Sequence, residues 1–73
     1  MTVQITTEAG DTYKADLFGD RIEIYRVKPG INIWSGQGRW TGARIVDVAA
    51  DIGDEAYDLL DEALAEAVYD AAR

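Results

Sequence analysis

The chain has 73 residues, no cysteine, no histidine and a formal charge of −7. Its length suits one small domain with a single core, and 48% hydrophobic residues, with two Trp, four Tyr and one Phe, are too many for a disordered acidic tail. The missing residue types exclude disulfides, the common zinc, copper and haem ligand sets and histidine-based acid–base catalysis, while the charge opposes binding to anionic membranes and to phosphate backbones.

The first two-thirds of the chain reads as β-structure. Thr2 to Thr7 alternates, with Val3 and Ile5 on one side and Gln4 and Thr6 on the other. Glu8-Ala9-Gly10-Asp11 supplies the residues of a tight turn. A second strand runs from Thr12 to about Phe18 and puts Tyr13, Ala15 and Leu17 on one face. Gly19-Asp20 turns the chain into the clearest strand, Arg21 to Lys28, where Ile22 and Ile24 oppose Arg21, Glu23 and Tyr25. Pro29-Gly30 ends it by removing a donor and supplying a permissive residue.

Ile31 to Trp34 predicts a short fourth strand, Ser35-Gly36-Gln37-Gly38 a loop, and Arg39 onward a return to extended structure. Residues 43–52 fit two patterns. Ile45, Val46, Val48, Ala49 and Ile52 share a helical face, whereas Arg44-Ile45-Val46 also suits a strand. The expectation is a strand to about Val46, then a helical turn. Gly53-Asp54 opens the last element, with Asp54 as N-cap and Glu55 beside it at the positive end of the helix dipole. Ala56, Tyr57, Leu60, Ala63, Leu64, Ala67, Val68 and Ala71 then recur at helical spacing without Gly or Pro. The fold class is therefore α+β: an antiparallel sheet of four to five strands covered by a C-terminal amphipathic helix, in one domain over residues 1–73.

Charge is divided unevenly along this fold. Residues 47–73 hold nine carboxylates against Arg73 alone, a formal −8, whereas residues 1–46 hold six basic and five acidic residues. Asp58, Glu62, Glu66 and Asp70 lie four apart on the helix face opposite the Leu/Ala seam, flanked by Asp54, Glu55 and Asp61. Like charges at that spacing repel, and the interspersed Lys that usually stabilises such a face is absent. Four helical residues rise about 6 Å, close to the roughly 6 to 7 Å between successive phosphates on one DNA strand. Such a row can therefore meet a Lys/Arg groove built for nucleic acid. The alternative is a solvated face with no partner.

The other constellations carry less chemistry. Trp34 and Trp40 bracket a polar segment that either presents Gln37, Arg39 and an indole to a partner, or sets one Trp in the core and the other on the sheet surface. Gly36-x-Gly38 lacks the third glycine, the Lys and the following helix of a phosphate loop. Lys14, Arg21, Arg26, Lys28, Arg39 and Arg44 lie among Tyr13, Tyr25 and Trp34, but acidic residues interrupt them and direct nucleic-acid binding is not expected. Some of these cations are expected to pair with the acidic helix, within the chain or in a dimer. Carboxylate pairs such as Asp47/Asp51 and Asp58/Asp61 lie in no Gly-containing ligand loop, so neither a metal, a cofactor nor catalysis is expected. No run approaches the roughly 18 apolar residues of a membrane span, no signal peptide is evident at the N-terminus, and the expected location is cytoplasmic.

The acidic C-terminal third resembles that of small acidic inhibitors carried by phages and mobile elements, anti-CRISPR proteins and other DNA mimics among them. Asp47, Asp51, Asp54, Glu55, Asp58, Asp61, Glu62, Glu66 and Asp70 carry the resemblance, which is one of type rather than of motif. It implies a non-enzymatic, stoichiometric inhibitor that blocks the DNA-binding surface of a host defence complex, with a basic nucleic-acid-binding protein as partner. Trp34 and Arg39 join Asp54, Glu55, Asp58, Asp61, Glu62, Glu66 and Asp70 as candidate partner-binding residues of a monomer or homodimer. The alternative is a structural or accessory phage or bacterial protein that self-associates through its sheet and an Ala-rich helix (Ala63, Ala65, Ala67, Ala71, Ala72).

Overall fold

The computed structural model describes every residue, Met1–Arg73. In chain order the elements are β1 (Thr2–Thr6), β2 (Thr12–Phe18), β3 (Arg21–Lys28), β4 (Ile31–Trp40), β5 (Ile45–Ala50) and α1 (Gly53–Ala71). The strands form one antiparallel meander in the order β1-β2-β3-β4-β5, with α1 on one face. The expected α+β architecture is therefore present, with five strands.

Register explains why the alternating residues make a core. Val3 lies opposite Ala15 and Ile5 opposite Tyr13, while Ala15 meets Ile24 and Leu17 meets Ile22. All these side chains point to one face. There they join Trp40 and Ile45 from β4 and β5, and Ala56, Leu60 and Leu64 from the helix. The helix packs along β1 and β2, yet its Asp61 and Tyr57 bond to Ile45 of β5. Five flat strands would hold β1 and β5 about 19 Å apart. The sheet must therefore curl around the helix, and the irregularities in β4 and β5 provide that bend.

Two expectations for the middle of the chain need correction. Ser35-Gly36-Gln37-Gly38 is not a loop: β4 runs unbroken from Ile31 to Trp40. Its glycines answer a close approach rather than a turn. A Cβ on Gly36, whose φ is +152°, would lie 2.2 Å from the Ala49 carbonyl oxygen, and one on Gly38 would press on the Ile45 side chain at 3.1 Å. Likewise no helical turn follows Val46. The strand continues to Ala50, interrupted at Asp47, whose φ of +53° takes up an irregularity in the β4–β5 ladder. That extra residue resets the alternation, so Ile45 and Val48 both reach the core although they are three apart.

The helix is where the periodicity placed it, with its inner stripe slightly rotated. Ala56, Leu60 and Leu64 are buried, Tyr57, Ala65 and Val68 pack beside them, and Ala63 and Ala67 are only half-buried. Asp54 is not the N-cap. That position belongs to Ile52, and no side chain closes it. Gly53, at φ +79°, swings the chain in, so Asp54 and Glu55 already lie in the first turn. β1 also stops at Thr6, one residue before the expected end.

Leu64 is fully buried against this curled sheet. Leu64→Ala should cost about 3 kcal/mol, most of what a domain of this size has to spare. Urea unfolding followed by circular dichroism should show the midpoint collapsing towards zero denaturant.

Candidate partner-binding surface

The outer side of α1 carries a row of carboxylates that winds slowly round the helix, by about 40° at each step. Asp54, Asp58, Glu62, Glu66 and Asp70 follow at every fourth position, and all are exposed. Leu60 and Leu64 face the other way, into the core. None of the row takes part in an ion pair. The four pairs in the protein lie in the sheet or an adjoining turn: Lys14–Asp16 at 4.0 Å, Arg21–Glu23 at 3.2 Å, Arg26–Asp11 at 2.6 Å and Arg39–Asp47 at 2.9 Å. Within the chain, no sheet cation pairs with the helix, contrary to one of the two arrangements expected. Strand geometry is the reason, because residues two apart on one face are closer to each other than to the helix's outer side.

The row is electrostatically expensive. It contains four successive like-charged pairs at i,i+4, each costing about 0.2–0.5 kcal/mol. At the C-terminal end the helix dipole adds to the repulsion of Glu66 and Asp70, since the last turn contains no basic residue. Arg73 follows, its guanidinium 5.3 Å from the Tyr69 ring centroid.

Two of the predicted contact residues are tied by hydrogen bonds to other parts of the fold. The Ile45 amide donates to Asp61 Oδ1 at 2.7 Å, and the Tyr57 hydroxyl donates to the Ile45 carbonyl. The Glu8 amide donates to Glu55 Oε2 at 2.7 Å. Asp61 therefore fixes the helix to the start of β5, and Glu55 fixes it to the turn after β1. Both are structural fasteners, and the free row consists of the other five.

Trp34 and Arg39 lie elsewhere. Both face the open side of the sheet, away from the helix, beside Tyr25 and Arg21 in the β3–β4 register. The Trp34 indole donates to Glu23 Oε2 at 2.7 Å and remains 56% exposed, whereas Trp40 is 7% exposed in the core. The Lys14 ammonium stands 5.0 Å from the Tyr25 ring centroid on the same side. Arg39 borders a shallow polar depression of about 330 Å³ with Asp20, Arg21, Gln37, Gly38 and Asp47. Its guanidinium is already committed to Asp47, with Nε at 3.1 Å. One flat partner cannot touch the acidic row and these residues at once. Sequence spacing could not reveal this, because the faces of β4 are assigned only through its pairing with β3.

No charged or polar side chain is buried, and no three carboxylates come close enough to hold a metal ion. The helix is not apolar enough to cross a membrane. No family model, curated protein or solved structure matches the chain.

Neighbouring carboxylates on one helix should respond to substitution in opposite directions. Asp61→Ala leaves the Ile45 amide without its acceptor and should cost about 1–3 kcal/mol. Glu62→Lys replaces two repulsions with two attractions and should stabilise the protein by about 1–2 kcal/mol. Urea titrations of both variants at low salt read these changes directly.

Proposed function

We propose that the protein acts by binding, as a stoichiometric inhibitor whose acidic helix occupies the basic, nucleic-acid-binding surface of a partner protein. The observation that carries this reading is the row Asp54, Asp58, Glu62, Glu66 and Asp70, exposed along one helix and matched by no cation. A row kept only for solubility has no reason to go without interspersed cations, at a cost of roughly 1–2 kcal/mol to a marginal domain. Its spacing of about 6 Å on a rigid helix approximates the phosphate spacing of one DNA strand. Lys and Arg side chains arranged for a backbone can then meet carboxylates in the same places, with long-range attraction speeding the encounter.

Binding also suits the rest of the molecule better than catalysis. No Asp, Glu, Lys or Arg side chain is buried, so none of them has the secluded setting that tunes an acid, base or nucleophile. The partner class implied is a basic DNA- or RNA-handling complex, and a host defence complex of the kind blocked by anti-CRISPR proteins is the specific case we favour. The Ala-rich helix offers little to the alternative of helix-mediated self-association. Ala65 is packed against the core, and Ala63 and Ala67 are half-buried.

The test is affinity capture from a bacterial lysate with the tagged protein, eluted by a salt gradient, beside the Glu62→Lys/Glu66→Lys variant. The expected result is a nucleic-acid-binding protein retained by the wild type, released between about 50 and 300 mM salt as charges are screened, and lost with the variant. Equal retention by both proteins would remove the acidic row from the contact.

A further inference from the structure

Six large apolar side chains are exposed, and Tyr69 is both the most exposed of them, at 65%, and the only one on α1. It belongs neither to the core nor to the layer packed against it. Its place on the helix sets it apart. Tyr69 follows Asp58 by 11 residues and Glu62 by 7, so at about 100° per residue it points within about 20° of both. Leu60 and Leu64 point the opposite way, into the core. Glu66, three residues earlier, and Asp70, next in the chain, are exposed as well. An aromatic ring thus stands among the carboxylates of the row, near the C-terminal end of α1.

The protein itself shows what this ring accepts. Arg73 is the one cation in residues 47–73, against nine carboxylates. Asp70 stands only three residues away, yet no ion pair joins the two. The guanidinium carbon instead lies 5.3 Å from the Tyr69 ring centroid, inside the roughly 6 Å range of a cation–π contact. Arg73 follows the end of the helix at Ala71 and is itself exposed, so another cation can take its place.

We propose that Tyr69 selects arginine in the partner: its ring seats a guanidinium of the basic surface in place of Arg73, while the row supplies the long-range attraction. This rests on the reading of the row as the contact for a basic partner, and adds which cation is recognised and where. Carboxylates attract lysine and arginine alike at a distance. A planar guanidinium, more weakly hydrated than an ammonium, also stacks on a ring face. Tyrosine is among the residues that carry most of the binding energy of protein interfaces. With Glu66 and Asp70 beside it, the ring receives its cation already flanked by counter-charge.

The experiment is isothermal titration of the full chain, at about 50 mM salt, with oligoarginine and oligolysine peptides of equal length as probes. Forked hydrogen bonds to carboxylates favour arginine too, so the quantity read is the change in the arginine-to-lysine affinity ratio between variants. Tyr69→Leu keeps an apolar side chain and removes the ring, whereas Tyr69→Phe keeps the ring. Circular dichroism checks that both fold. The expected ratio falls about threefold in Tyr69→Leu, through weaker binding of the arginine peptide alone, and keeps its wild-type value in Tyr69→Phe. A purely structural role for Tyr69 would move both peptides together. A ratio unchanged in Tyr69→Leu, or lost equally in Tyr69→Phe, overturns the inference and leaves the row as the contact. Failure of either peptide to bind, or survival of both contacts in Glu62→Lys/Glu66→Lys, overturns the reading of the row and this inference with it.

Discussion

Leu60 and Leu64, pressed against Ile22, Ile24, Trp40 and Ile45, form the contact on which the rest of the molecule depends. A chain of 73 residues can support only one such core, so the sheet and the helix have one inner face each. To fill it with a single helix the sheet must curl, and curling brings β5 tightly over β4. That approach leaves no room for a side chain at Gly36 and little at Gly38. The polar ties at the ends of the helix, Glu55 to the Glu8 amide and Asp61 to the Ile45 amide, then fix how the helix lies in the curl.

The same economy sets what the outside can do. With the core occupied by apolar groups alone, every charge is at the surface, where a single ion pair contributes about 1 kcal/mol at most. The sheet distributes its charges accordingly, each cation of the four pairs beside a carboxylate of the same sheet or an adjoining turn. The helix does not. Its outer carboxylates repel one another and oppose the dipole near the C-terminus, so stability cannot account for their retention. The molecule thus has two distinct outer surfaces: an anionic helix, and a sheet whose far side and β4 edge expose Trp34, Ile31 and Ile33. The first suits a basic partner reached through long-range attraction, the second a close apolar contact.

Much of this was legible in the sequence. β1, β2 and β3 followed from strict alternation, and α1 from its 3.6-residue period, because local pattern and tertiary packing agree there. The exposed row Asp58, Glu62, Glu66 and Asp70 could be read for the same reason. Legibility failed where a residue answers to a distant neighbour. Gly36 and Gly38 resemble turn residues, but they serve a close approach of the paired strand, visible only once β5 is placed. Asp47 interrupts the β5 pattern through its own backbone angle, which hid the strand beyond Val46. Glu55 and Asp61 looked like further members of the acidic row, yet each accepts a backbone amide 47 or 16 positions away. Trp34 and Arg39 had no assignable face until the β3–β4 register was known.

The central claim is that function resides on the outer row of α1 rather than on the open face of the sheet. Residue-resolved amide shifts of the isotopically labelled protein, titrated with the basic protein it captures, test this most directly. The account predicts perturbations gathered on Asp54, Asp58, Glu62, Glu66 and Asp70, with Tyr25, Trp34 and Arg39 unmoved. Perturbations centred on Trp34 and its neighbours, with the helix silent, would contradict it.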